Sequence, residues 1–282
     1  IMKANLLRLI DELSGKINPP MWTIFAYYFY LALKEGKNYD EAKAIGQSRV
    51  DDVSKSIGTD PYVQDSNSDY SLIGTPLLPT FGRQAFISAH LVAKYACESE
   101  KIFPEKTEAN RKHVFDFLKI TKNLNVTQKA IAHRWDDSVK TPPAHLLAIV
   151  LENSDDELLY EKVLLGLKEA AVACWALKYT IKQARPSEMI MLYDNEKFIP
   201  ELNTPTHPSC PSGHSTFSSV VAEICKDMKD VKDPFTGLVY ADFKTIQEEA
   251  SISRVYGGIH FLKDCEIGTK LGTDIGNVIA RM

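Results

Sequence analysis

The amino-acid sequence predicts an all-α protein. Apolar residues recur at helical spacing through most of the chain, and no segment sustains the alternation of a half-buried strand. Turn-forming residues gather instead in two long stretches. One is 58–82, rich in Pro, Ser, Asn, Asp and Gly; the other is 189–210, which carries Pro200, Pro205 and Pro208. Loops of that length in a compact protein are usually functional or mobile.

The periodicity predicts helices at 5–13, 20–35, 40–57, 83–99, 107–121, 127–135, 142–151, 157–183, 214–229, 243–253 and 263–279. The first is short and amphipathic, with Arg8, Asp11 and Glu12 along it, unlike a signal peptide. The leading Ile1 before Met2 reads as a processing scar, so a removed leader stays open. In the second, 21–33 is apolar and aromatic-rich but too short to span a bilayer, and Lys34 and Glu35 end it. It reads as a buried helix. The helix from 157 should stop at Arg185, because Pro186 disfavours a helical residue before it. The helix from 214 follows Ser212, a good N-cap, and carries Phe217, Val220, Val221 and Ile224 at helical spacing. Together these segments read as a single domain, 1–282, in which 1–120 is a helical cap on a core of 121–282.

The chain has 282 residues, enough for a sizeable core, with 44% hydrophobic and 25% charged residues. Its net charge of −4, with no basic face, argues against a nucleic-acid partner. No stretch is long enough for a membrane span. Five cysteines without a CxxC pair argue against a disulfide scaffold or structural zinc. Cys210 lacks the following Arg that a cysteine-phosphatase loop requires; the position where it should stand is Thr216.

Three short stretches carry chemistry. In the first, Lys178 and Arg185 lie two turns apart on the expected helix, sharing a face with Trp175. A guanidinium at a helix end suits bidentate contact with an oxyanion. Taken alone, the pair reads first as a solvated basic face with Trp175 in the core. In the second, Pro211-Ser212-Gly213-His214 opens a helix. Ser212 caps unpaired N–H groups, Gly213 lets a ligand approach the backbone, and His214 sits in the first turn. In the third, His260 and Asp264 are four apart, a carboxylate placed to fix an imidazole tautomer. Arg254 adds a second guanidinium, and Gly257 and Gly258 suggest close backbone packing or a bend that brings it near His260; taken alone, the stretch reads first as a surface His–Asp pair with a structural Arg.

Taken together, these stretches resemble the signature of the type 2 phosphatidic-acid phosphatase and vanadium-dependent haloperoxidase superfamily, from about Ala130 to the C-terminus. The resemblance implies a helical bundle of the vanadium haloperoxidase and acid phosphatase type, with one site between helices. It implies that Lys178, Arg185, Arg254, Ser212 and the Gly213 N–H hold the equatorial oxygens of phosphate or vanadate. His260 would attack phosphorus or bind vanadium as its metal ligand, Asp264 would orient His260, and His214 would act as the acid–base.

Trp175 is similar to a residue that haloperoxidases place beside vanadate. His207 matches a position that is His in bromide-oxidising members, though it also reads as a loop residue before Pro208. The segments 130–137 and 253–261 are similar to stretches of bacterial haloperoxidase-like proteins. The implied activity is halide oxidation by hydrogen peroxide, bromide or iodide favoured, with vanadate as cofactor. The alternative is an acid phosphatase acting on phosphate monoesters through a phosphohistidine, with no cofactor. Small-molecule substrates are expected in either case, with a homodimer left open and a periplasmic or secreted location favoured over the cytoplasm.

Overall fold

A computed structural model describes residues 1–57, 77–84, 86–87, 89–100, 108–136, 140–194 and 197–282. Helices α1 (Met2–Leu13), α2 (Pro19–Lys34) and α3 (Tyr39–Ile57) come first. The Asn18 side chain accepts a hydrogen bond from the Met21 N–H, and Pro19 and Pro20 follow where a helix has no use for an N–H. Trp22, Phe25, Phe29 and Tyr30 of α2 are buried, so the aromatic-rich segment is a core helix.

The remaining helices are α4 (Ala89–Glu100), α5 (Glu108–Thr121), α6 (Val126–Arg134), α7 (Pro142–Asn153), α8 (Glu157–Ile181), α9 (Pro186–Asp194), α10 (Gly213–Ile224), α11 (Phe243–Tyr256) and α12 (Leu262–Ala280). The all-α expectation is met. Helix α8 runs through the centre of the molecule, packed against α2, α4, α7, α10 and α12. No described helix is long and apolar enough to cross a membrane.

The closest packing joins α10 to α12. Gly268, Gly272 and Gly276 recur every four residues, so they line one face of α12. A Cβ on each would come within 2.6 Å of Ser212 O, 2.3 Å of Thr216 O and 2.9 Å of Val220 O, respectively. Here the backbones touch, and this contact sets the N-terminus of α10 beside that of α12. The Ser212 N–H donates to Asp264 O at 2.9 Å.

The structure departs from the expected elements in four places. Helix α8 ends at Ile181, where Lys182 turns left-handed (φ 53°), and not at 183. Residues 186–194, of which the sequence placed 189–194 in a loop, form α9. Pro186 opens that helix at a position where proline is favoured, and Glu188 accepts the Arg185 N–H at 2.8 Å. The helix expected at 214–229 stops at Ile224. A two-stranded antiparallel hairpin follows, β1 (Lys229–Lys232) and β2 (Val239–Asp242), with Val231 opposite Tyr240. Each strand buries one residue, too short a pattern to register as alternation. At 83–99 a 3₁₀ turn, Phe81–Arg83, precedes α4. Of the 58–82 loop, residues 58–76 lie outside the described residues.

Candidate active site

The first stretch comes together differently from the shared helical face that the spacing suggested. Lys178 is in the last turn of α8, whereas Arg185 lies beyond it in the connection to α9. Lys178 is fully buried, and its ammonium donates to Pro208 O (2.9 Å), Ser209 O (3.2 Å) and Pro211 O (2.5 Å). Three acceptors use all three N–H donors, so the group is charged and fastens the loop before α10. Burial lowers its pKa to about 8, with Arg185 adding to the effect. Arg185 reaches His207 O through Nε (3.0 Å), and Ile259 O through Nη1 (2.8 Å).

At the second stretch, Ser212 caps α10 by accepting the Ser215 N–H. A Cβ on Gly213 would meet nothing nearer than Phe217 at 3.8 Å and Trp175 at 3.9 Å. The helix N-terminus therefore has room for an anion at its positive dipole end. His214 Nε2 lies 2.8 Å from Trp135 O. A carbonyl only accepts, so Nε2 carries the hydrogen and Nδ1 is the nitrogen able to exchange a proton.

Of the His260 and Asp264 pair in the third stretch, only Asp264 is helical. His260 precedes α12, and Asp264 is the third residue of that helix, its Oδ2 accepting the Phe261 N–H at 3.0 Å. The same oxygen accepts Ser209 Oγ at 2.6 Å and His260 Nδ1 at 3.3 Å. Gly258 has φ +76°, a turn that an L side chain would strain, and it separates Arg254 on α11 from His260. Arg254 donates through Nε to Ser253 Oγ (2.9 Å) and through Nη2 to Ala132 O (2.9 Å).

Protonation states follow from the donors. Arg185 Nη1 lies 3.0 Å from His260 Nε2 and Nη2 lies 3.1 Å from His207 Nδ1. A guanidinium only donates, so both ring nitrogens accept. His260 thus carries its proton on Nδ1, facing Asp264, and His207 carries its own on Nε2. The 3.3 Å approach of Pro208 O to His207 Nδ1 is then a contact without a hydrogen. Burial, reinforced by Arg185 and Lys178, holds both imidazoles far below their ordinary pKa. Burial also pushes Asp264 up to about 6, against the pull of its bonds from Ser209 and Phe261.

A cavity of about 390 Å³ lies among these groups. Trp175, His207, Gly213, His214, Arg254 and His260 line it; Pro19 from the N-terminal helices and Leu77 also reach it. Trp175 and His207 pack with ring centroids 5.0 Å apart. Lys178, Arg185, Ser212 and Asp264 stand behind this lining, of which Arg185 and Asp264 bond directly to His260. The donor set fits a tetrahedral or trigonal-bipyramidal oxyanion: guanidiniums, a helix start with room above Gly213, and the unprotonated Nε2 of His260. Among the described residues, no cluster of three or more His, Cys, Asp or Glu could hold a bare metal ion.

Residues 162–282, which contain all three stretches, match the PAP2 superfamily model. The match covers that segment and not the chain before it. The fold of the whole chain is similar to that of a bacterial vanadium-dependent iodoperoxidase, with TM-score 0.64 and 23% identity over 88% of this chain and 71% of that one. A bacterial vanadium-dependent chloroperoxidase in its holo form matches with TM-score 0.59 and 12% identity, over 92% of this chain and 81% of that one. Its apo form matches with TM-score 0.58 and 13% identity, over 86% and 74%. No curated protein matches the sequence. Identities this low speak for a shared fold.

Two parts of the site escaped the sequence reading. Ser209 bonds Asp264 from within the proline-rich loop, where a serine reads as an ordinary turn residue. The acceptors for His214 and Arg254, Trp135 O and Ala132 O, are main-chain atoms of α6 and its C-cap, outside the segment that matches the PAP2 model, and main-chain atoms leave no signature in residue type.

Proposed function

We propose that this chain is a vanadium-dependent haloperoxidase-like enzyme that oxidises halide with hydrogen peroxide, bromide or iodide in preference to chloride. The observation supporting it is His260: a neutral imidazole, oriented by Asp264, at the wall of a cavity shared with Arg254, His214, Trp175 and His207. Arg254 and the Gly213 N–H, which line the cavity, would hold the oxygens of vanadate with Arg185 and Ser212 directly behind them, and His260 Nε2 would bind its vanadium in exchange for its hydrogen bond from Arg185. Bound there, vanadate supplies a Lewis acid that activates peroxide without changing oxidation state.

The chain's own residues set the conditions. Asp264 keeps the His260 proton on Nδ1 and so leaves Nε2 as the ligand. His214 takes up or releases a proton at Nδ1 while Trp135 O holds its other nitrogen. Trp175 and His207 form the side of the cavity suited to a halide, with the His207 Nε2–H as donor. The buried guanidiniums balance the negative charge of the oxyanion.

One observation favours phosphate-monoester hydrolysis instead. Lys178, which would polarise bound peroxide, gives all three donors to main-chain carbonyls and lies outside the cavity lining. In that reading His260 Nε2 attacks phosphorus and the ester P–O bond breaks. His214 protonates the leaving alkoxide, and water then releases phosphate from His260.

A paired assay separates the two. The protein is incubated with orthovanadate, and dye bromination by peroxide and bromide is measured beside hydrolysis of a phenyl phosphate. Vanadate-dependent bromination is the expected result. Hydrolysis that vanadate inhibits, without bromination, would overturn it in favour of the phosphatase.

A further inference from the structure

Helix α6 ends against the site, outside the PAP2 segment. Its Ala132 O accepts from Arg254 Nη2 at 2.9 Å, and Trp135 O, at its C-cap, accepts from His214 Nε2 at 2.8 Å. The last carbonyls of a helix have no partner within it, and the helix dipole is negative there. An imidazole N–H and a guanidinium are natural partners for that end.

One carboxylate fastens this turn. Glu249 on α11 accepts the Trp135 Nε1–H (3.0 Å) and the Tyr240 hydroxyl (2.8 Å) on Oε1, and Arg134 Nη1 (2.7 Å) on Oε2. The Trp135 ring is also stacked on His145, with centroids 4.6 Å apart and planes at 26°. His145 in turn pairs with Asp233 at 3.1 Å. Trp135 is thus gripped by its edge and its face, and its carbonyl has one place to be.

We propose that Glu249 is a positioning residue for this site. By fixing Arg134 and Trp135 it aims two main-chain carbonyls, one of which selects the Nε2–H tautomer of His214 while the other orients the Arg254 fork. Glu249 itself does not line the cavity. Its effect on catalysis rests on the roles given above to His214 and Arg254; its effect on the His214 ring does not.

The test uses full-length protein labelled with ¹⁵N-histidine, the His214 signal being assigned by its loss in His214→Ala. Wild type should show His214 protonated on Nε2, with that hydrogen slow to exchange. In Glu249→Leu the tautomers should mix and exchange should quicken at least about tenfold, while Glu249→Gln, whose amide oxygen still accepts from Trp135, should stay near wild type. Calorimetric titration with orthovanadate should show affinity about tenfold weaker in Glu249→Leu. Trp135→Phe removes the indole N–H, along with part of the ring stacked on His145, and should move the His214 signal the same way if Glu249→Leu fails to fold. An unchanged His214 tautomer and exchange rate in both would overturn the proposal. Wild-type protein that binds no orthovanadate, with the His214 effect intact, would count against the oxyanion reading and leave the fastening of His214 standing.

Discussion

Asp264 Oδ2 lies 3.3 Å from His260 Nδ1, although the two do not share a helix. The pair forms because the chain turns into α12 at Phe261, and the carboxylate that closes this turn also faces the residue before it. One oxygen serves the helix start, Ser209 and His260 together. Asp264→Asn keeps an acceptor and loses the charge. We expect a roughly 10–100-fold loss of orthovanadate affinity, measured by calorimetry, with the helix start intact. His260→Ala should remove turnover by roughly 10⁴-fold or more, as loss of a nucleophile or ligand does. Near-normal turnover in that variant would end the assignment.

The pKa of Asp264, raised to about 6 from 3.8, gives two pH dependences of opposite sign. The folded protein holds this proton more tightly than the unfolded chain. The group's contribution to stability is therefore fully present below about pH 4 and is lost as pH rises through 6, on the order of 3 kcal/mol. The site needs the carboxylate, so oxyanion affinity should rise across the same interval. Denaturant titrations and calorimetry between pH 4 and 7 read the two separately, and Asp264→Asn should flatten both.

Lys178 gives the mirror case. Its pKa falls to about 8 from 10.5 because it is buried. The penalty for holding a charge there is present below pH 8 and relieved between 8 and 10.5. Relative to Lys178→Met, wild type should gain stability over that range, on the order of 3 kcal/mol. Parallel stability curves for the two proteins between pH 8 and 10.5 would refute this account of Lys178.

The residue types of the site were legible because each stretch marks a helix boundary: Ser212 before α10, Arg254 near the end of α11, Asp264 within the first turn of α12. Their spacing was a poorer guide to geometry. Lys178 and Arg185 are seven apart, yet a left-handed Lys182 separates them, and the helix after Arg185 starts with the proline that had read as a stop. Proline ends one helix and begins the next with equal ease, and Glu188, three residues after Arg185, was the sign that decided between them. The hairpin was invisible for a different reason, since strands of four residues bury one side chain apiece. The glycine stripe of α12 was present in the sequence, but its meaning depends on which helix lies against it.

His207 touches the cavity, packs on Trp175 and is held neutral beside Arg185. His207→Ala should impair bromide oxidation by about tenfold, the scale of a first contact with a bound group, and leave phosphate-ester hydrolysis little changed. Equal loss of both activities would make His207 a support for Arg185 and remove it from halide binding.

The α10–α12 contact leaves no room for a side chain on its glycine face, and Gly272 tests it. A Cβ there would meet Thr216 O at 2.3 Å, and the obstacle is main chain, which cannot rotate aside. Gly272→Ala should therefore destabilise the protein even though alanine favours a helix by up to about 1 kcal/mol over glycine. Overpacking of this kind costs roughly 1–3 kcal/mol or more, so strain outweighs propensity, and urea unfolding should show the net loss. The site should feel it too. Separating the helices pulls Ser212 away from Asp264 O, to which its N–H donates at 2.9 Å, and so parts the anion-facing start of α10 from the carboxylate behind His260. Orthovanadate affinity should fall in Gly272→Ala under conditions where the protein is still fully folded. A variant as stable as wild type would mean that the two backbones do not touch.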